Sequence, residues 1–352
     1  MPNTFDLAID VIDLPVGMRP QLFVVVDTEE EFDWSAPFSR ANTSVRAMRH
    51  IDRLQRVLER YSVAPTYVID FPIASQRDGW QPLKELADDG AATIGAHLHP
   101  WVNPPFVEEL SRRASFGCAL GAAIEAEKIR LLQQQIAASF GAPPTIYKAG
   151  RYGFGPTTAD ALEALGFTID LSVNPRMDFT AEGGPTFAEL NARPFFFGRM
   201  RRLLEIPCTT DYIGALGRVG HRIHPVISHR SLAPTRIVGV MSRLGALNKV
   251  MLSPEGSTLD EMKALTSALV ARGVRTFSMT LHSPSVEPGC TPYVRSDGDL
   301  DRFLGRIAAY CEFFFGDLGG DAATPDEFRA SLGAPPVTGV MADEGARALA
   351  AR

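Results

Sequence analysis

The stretch QLFVVVD, residues 21–27, is apolar at every interior position and stops on an acid. A strand with one wet face alternates apolar and polar residues. A run apolar at consecutive positions has both faces covered, which in a chain also rich in helical segments means a parallel strand between layers. Comparable runs recur as APTYVID, AATIGAH, TIYKAG, TIDLSV, RLLEIPC, a weaker TRIVGV and TFSMTLH. Between them lie segments of helical spacing. One near 44–61 carries Val45, Met48, Ile51, Leu54 and Leu58, and one near 119–140 is stopped by Gly141. Others fall on QPLKELADDG, TTADALEALGF, LDEMKALTSALVARG and the stretch near 299–315. This alternation predicts an α/β fold, a distorted (β/α) barrel of about seven parallel strands.

One such domain accounts for residues 1–318, with irregular insertions near 174–202 and 213–234. Residues 319–352, Ala-rich with scattered Pro, read as a loosely attached tail. A length of 352 residues suffices for a large buried core. The net charge of −6 is not that of a nucleic-acid partner, although Arg193, Arg199, Arg201 and Arg202 lie close together. No apolar run reaches the roughly 18 residues of a membrane span. The N-terminus has neither a basic segment nor an apolar core of signal-peptide type. Cys118, Cys208, Cys290 and Cys311 are scattered without metal-like spacing and are expected as reduced thiols in a cytoplasmic protein. Nothing in the pattern speaks to oligomeric state.

In parallel barrels, chemistry collects where strands end. Here four strand ends carry it: VDTEEEF, GAHLHPW, YKAGRYG and TLHSPS. Positions two apart on a strand share a side, so Asp27 and Glu29 can face one pocket, while Glu30 and Glu31 are expected in solvent. His97 and His99 obey the same spacing, and two imidazoles plus a carboxylate make a three-ligand divalent-metal site. His282 titrates near neutrality and suits proton donation. Lys148 or Arg151, around a glycine turn, can hold Asp27 ionised. Trp34, Trp101, Asn103, Tyr152 and Tyr293 are candidate substrate contacts. Glu205 and Asp211 flank another strand end, where they either reach the pocket or close a turn.

As an ordered set, DTEEEF, GAHLHPW, AGRYG and LHSPS…PG…PY resemble the NodB-homology polysaccharide deacetylases, carbohydrate esterase family 4, and within them the WalW-like branch. The resemblance extends from about Gln21 to Phe315. It implies hydrolysis of an N-acetyl group from an amino sugar or polysaccharide precursor inside the cell, with a divalent metal ion, zinc foremost. It assigns the catalytic base to Asp27 and metal ligation to Glu29, His97 and His99; an exchange of roles between Asp27 and Glu29 stays open. Lys148 stands where the family has a base-steering arginine, with Arg151 as a substitute. Asp170 positions its neighbours, the backbone N–H of Tyr152 meets the oxyanion, and His282 is the general acid. The family's histidines are four apart and these are two apart, so the geometry of the metal site must differ. Two further readings remain: a metal amidohydrolase acting on a non-sugar amide, and a catalytically silent carbohydrate-binding protein.

Overall fold

The computed structural model describes residues 3–4, 7–229 and 234–333. Its main sheet runs, in chain order, through β1 (Gln21–Thr28), β2 (Thr66–Ile69), β3 (Thr93–Leu98), β4 (Ile146–Ala149), β5 (Ile169–Asp170), β6 (Phe195–Phe197) and β7 (Leu203–Glu205). A hairpin of β8 (Thr210–Ile213) and β9 (Asn248–Met251) follows, and β10 (Thr276–His282) returns to the start. The spatial order is β10-β1-β2-β3-β4-β5-β7, all parallel, with β6 antiparallel on the outer side of β7. The expected seven parallel strands are therefore present.

The curl is closed by irregular backbone bonds rather than by a ladder. Cys208 N donates to Val173 O (2.9 Å), Leu252 N to Thr209 O (2.8 Å), and Thr280 N to Leu252 O (3.1 Å). Residues 208–210 and 252 thus fill the gap between β7 and β10.

Alternation along β1 sorts its side chains into two cores. Leu22, Val24 and Val26 face the surrounding helices, while Phe23 and Val25 face the barrel interior with Val68, Ile146, Ile169, Leu171, Leu204 and Ile206. The interior is tight: a Cβ on Gly95 would lie 2.9 Å from Val68 Cγ1 and 3.0 Å from Ile146 O. The next inward positions are Asp27 on β1, His97 on β3 and Lys148 on β4. The strand pattern therefore carries the polar set to the carboxyl end of the barrel.

The helices that cover the outside follow their sequence signals. The segment near 44–61 divides into a 3₁₀ turn, Arg46–His50, and α1 (Asp52–Glu59). α2 (Phe71–Ser75) is capped by Asp70, whose Oδ1 accepts from Ile73 N (2.8 Å), and α3 (Arg77–Asp88) follows. α4 (Ala122–Phe140) ends at Gly141, whose φ of 92° is the left-handed value glycine tolerates. α5 (Pro156–Ala164) comes next.

Three expectations are corrected. TRIVGV is not a strand: its residues lead into α7 (Ile237–Arg243), which pairs with α6 (Gly220–Ile227). A run of four apolar residues carries too little periodicity to separate the two states. The inserted segment 213–234 thus holds a 3₁₀ turn, Gly217–Val219, and α6 between turns; 230–233 lie outside the described residues. The tail is also reassigned in part. Beyond α8 (Leu259–Ala271) and α9 (Asp297–Glu312), residues Asp321–Ala322 pair in parallel with the start of β1. α10 (Pro325–Ser331) then drives Phe328 into the barrel interior, edge-on to Phe23 at 5.5 Å. Residues 334–352 lie outside the described residues.

Candidate active site

Strand register sets the geometry. Asp27 lies opposite His282 across the β1–β10 ladder, and His97 lies opposite Lys148 across β3–β4. Lys148, buried on an inward position, reaches across the barrel so that Nζ donates to Asp27 Oδ1 at 2.5 Å. Asp27 Oδ2 is left facing His282 Nε2 at 3.9 Å. The other ring nitrogen of His282, Nδ1, is bonded to Glu255 Oε2 at 2.6 Å, and Glu255 Oε1 accepts from the His282 backbone N–H at 3.1 Å. The result is a carboxylate held by an ammonium and, beside it, an imidazole held by a carboxylate.

Electrostatics follow from these pairings. Burial alone would raise the Asp27 pKa, but Lys148, with His97 and His282, outweighs it and holds the carboxyl below its usual range. For His282, burial pulls the pKa down, but Glu255, Glu29 and Asp27 push it up to about 10. The pair is thus poised as an ionised base and a protonated acid over the neutral pH range.

The second cluster is Glu29, His97 and His99, whose donor atoms all lie within 4.8 Å of one another. Glu29 and His99 sit just beyond the ends of β1 and β3. His99 Nε2 is 3.3 Å and His97 Nε2 3.8 Å from Glu29 Oε2. Both rings are anchored through Nδ1: His97 to Lys148 O at 3.1 Å, His99 to Glu30 Oε2 at 2.8 Å. That arrangement fixes the tautomer with the proton on Nδ1 and a free lone pair on Nε2, as metal-ligating histidines require. Burial also holds His99 below its usual pKa, against the pull of Glu29, so the ring is neutral. Glu29 Oε1 is buried with no hydrogen-bond partner. A buried carboxylate with one oxygen beside two imidazole lone pairs and the other without a partner fits a divalent cation, and an N/O donor set of this kind suits zinc and its neighbours.

Glu30, Asp70 and His99 form another group of potential ligands, on the opposite nitrogen of His99. Its lone pairs are already engaged. Glu30 Oε1 accepts from Trp101 Nε1 (2.7 Å), and Asp70 accepts from the backbone N–H of Glu30 (2.7 Å) and of Ile73 (2.8 Å). Burial raises both carboxyls, Glu30 to about 8 and Asp70 further. Because Glu30 receives the ring N–H groups of Trp101 and His99, the proton belongs on Asp70. The group supports His99 from behind.

A cavity of about 690 Å³ opens over both clusters. Trp34 and Tyr293 line it as expected, with Trp34 edge-on to His282 at 4.8 Å and to Tyr293 at 5.6 Å. Tyr152 also lines it, stacked on Phe179 at 5.5 Å, with Phe32 and Phe38 as further aromatic walls. Arg151 and Tyr152 both hold positive φ, 52° and 59°, in the turn after β4. Backbone strain of this kind persists where surrounding structure enforces it.

Four expectations fail here. Glu30 is not solvated but fully buried, because the chain turns inward after β1 ends. Trp101 is no sugar platform: it is buried, stacked on His99 at 4.2 Å and committed to Glu30. Asn103 is buried and spends its amide on Lys128 O (3.0 Å) and Pro104 O (2.6 Å), so it is a loop strut. Arg151 does not steer Asp27: its guanidinium pairs with Glu182 (2.6 Å) and Ser115 Oγ (2.5 Å) at the cavity wall.

Of the remaining candidates, Asp170 takes the Ser172 hydroxyl at 2.5 Å, which in turn accepts from Ala149 N at the root of the glycine turn (2.7 Å). Glu205 accepts from Val173 N (2.9 Å), and Asp211 pairs with Arg272 (2.9 Å); both close structure rather than line the cavity. Two important residues went unread in the sequence. Asp70 ends the strand run APTYVID, the same signal that marked Asp27. Glu255 sits in a loop after β9, a strand whose apolar content is too low to point to it.

No protein-family model matches the chain, and no curated protein matches it. Among solved structures, a Mycobacterium smegmatis protein assigned as a polysaccharide deacetylase aligns over 95% of this chain and 98% of its own, at 12% identity and a TM-score of 0.48. A 4-α-glucanotransferase from Thermococcus litoralis aligns over 89% of this chain and 40% of its own, at 12% identity and a TM-score of 0.47. A family 4 carbohydrate esterase from Streptomyces lividans, in complex with acetate, aligns over 84% and 91%, at 11% identity and a TM-score of 0.38. At such values, the roles of individual residues rest on the geometry above.

Proposed function

We propose that this chain is a metal-dependent N-deacetylase of the NodB type, acting on an N-acetylated amino sugar. The observation that carries the reading is the buried Glu29 carboxylate, whose Oε2 lies 3.3 and 3.8 Å from the Nε2 atoms of His99 and His97 and whose Oε1 has no partner, within one cavity that also holds Asp27 and His282.

In this reading Glu29, His97 and His99 hold a divalent ion, zinc foremost. When bound, the ion supplies Lewis acidity toward an acyl oxygen and lowers the pKa of water. The chain's own residues do the rest. Asp27 accepts the proton of the attacking water at Oδ2, the oxygen that Lys148 leaves free. Lys148 keeps that carboxylate ionised and fixed in orientation. His282 donates the proton at Nε2 to the departing amine, while Glu255 holds its Nδ1 and favours the imidazolium beforehand. The backbone N–H of Tyr152, in the strained turn, meets the developing oxyanion. Trp34 and Tyr293, flanking His282, offer aromatic faces to a sugar ring. The Lys148 ammonium supplies charge without the planar fork of a guanidinium, which a single contact to Oδ1 does not need.

The test is acetate release from N-acetylglucosamine and its nucleotide conjugates, with metal removed by chelation and added back. Acetate formation that needs added metal, and that falls by about 10²–10⁴-fold in Asp27→Ala and His282→Ala, supports the reading. A protein that takes up no divalent ion refutes it. One that binds metal but frees acetate from no amino sugar also refutes it.

A further inference from the structure

We propose that the helices α6 and α7, with the turns beside them at 216–219 and 244, dock the protein on a membrane surface rich in anionic phospholipid. The observation is one of distribution. Among the described residues, thirteen large hydrophobic side chains are exposed, and six of them, Leu216, Val219, Val226, Val238, Val240 and Leu244, fall in this one stretch. α7 buries none of its residues and α6 buries only Gly220. Val226 and Leu244 are 64% and 75% exposed.

Charge is distributed just as unevenly. The chain carries a net charge of −6, yet no Asp or Glu occurs between Asp211 and Glu255. Arg218, Arg222, Arg236 and Arg243 are exposed within that interval. In the other basic cluster, by contrast, Arg193, Arg199 and Arg201 pair with Asp13, Asp160 and Asp10. Among the described residues, the four arginines of the helical pair have no carboxylate partner.

Exposed apolar side chains interspersed with unpaired cations, on short helices projecting from an otherwise acidic protein, match the chemistry of an anionic bilayer surface. The apolar residues enter the acyl boundary and the arginines meet headgroup phosphates. A second copy of the chain fits worse, because a two-fold contact through this face would bring its unpaired arginines together. The proposal does not depend on the chemistry of the cavity. The pair nevertheless connects to the cavity through β9, whose Met251 Sδ lies 3.9 Å from the Tyr152 hydroxyl.

The experiment is co-sedimentation of the full chain with phosphatidylcholine vesicles and with vesicles containing phosphatidylserine. Binding is expected only in the second case and is expected to weaken with added salt. The triple variant Arg218→Gln, Arg222→Gln, Arg243→Gln should bind about a hundredfold more weakly, the product of an about fivefold loss per charge removed. Val226→Ser with Leu244→Ser, which leaves every charge in place and alters only exposed side chains, should also lose binding. Circular dichroism matching the parent shows that both variants fold. Equal sedimentation with both lipids, or with neither, overturns the proposal. So does a concentration-dependent dimer that Leu244→Ser abolishes, which would give the face to a second copy.

Discussion

Replacing Lys148 by methionine keeps the length of the side chain and removes the one cation bonded to Asp27. The consequence can be worked from the structure. Two unit charges at the 2.5 Å seen between Lys148 Nζ and Asp27 Oδ1 attract by at most about 7 kcal/mol at an effective dielectric of about 20. The realised effect of such a partner on a carboxylate is about 1–3 pKa units. Burial already pushes Asp27 upward, so without Lys148 its pKa rises by about that amount, with His97 and His282 still opposing the rise. The base must be ionised to work. In the parent its acid limb lies low, because Asp27 is held below its usual value; in the variant that limb moves up by about 1–3 pH units. In the mildly acidic range kcat/KM for acetate release falls below the parent's, and it recovers as pH is raised toward neutrality. The same depressed pKa stabilises the fold above the unfolded carboxylate value of about 3.9 and stops doing so as pH falls through the folded value. Stranding Asp27 in its buried site should therefore cost about 3–5 kcal/mol near neutrality, read as a shift in denaturant midpoint. Metal uptake should survive, because His97 leans on the Lys148 carbonyl rather than its side chain. A variant whose pH–rate profile superimposes on the parent's, or whose loss is the same at every pH, would refute the pairing as the source of the base.

Glu30→Gln removes the carboxylate behind His99 and should lower metal affinity by about 10–100-fold, measured by competition with a chromogenic chelator. Glu255→Gln removes the leading influence that pushes the His282 pKa up to about 10. The protonated acid is then lost at lower pH, so the alkaline limb of kcat/KM should move to lower pH while the acid limb stays in place. Phe328→Ala empties a buried site at the base of the barrel and should cost about 3–5 kcal/mol by denaturant titration, with no change in metal uptake.

The parallel strands were legible because burial on both faces leaves no ambiguity: QLFVVVD and TFSMTLH cannot be half-exposed without stranding apolar side chains in water. Legibility failed where that constraint lapses. The end of β8–β9 sits in a small antiparallel hairpin whose strand NKVM has half-exposed positions, and it went unmarked. TRIVGV met the same difficulty from the other side, four apolar residues in a helix that buries none of them. The end of the chain was misjudged by averaging. An alanine-rich composition across 319–352 masked a two-residue pairing with Gln21–Leu22 and a single phenylalanine that fills the barrel floor.

The same physical distinction divides the candidate site. Period-two reasoning holds only while the backbone stays in a ladder. It therefore puts Asp27 and His97 on inward positions, each still paired to a neighbouring strand, while Lys148 and His282, marked in the sequence only by standing at strand ends, lie opposite them in the same ladders. It ceased to hold one residue past Thr28, the last paired position of β1. Glu30 turns inward beside Glu29 there, although alternation would send it to the opposite side. Two histidines separated by a single leucine can share one ion for a related reason. His97 is the last inward residue of its strand, anchored to a neighbouring strand's carbonyl. His99 has left the ladder and is free to rotate until Glu30 and the face of Trp101 fix it. A spacing of two is thus sufficient only because a second carboxylate stands behind the outer ring. On this argument Glu30 belongs to the proposed metal site as firmly as the histidine it holds.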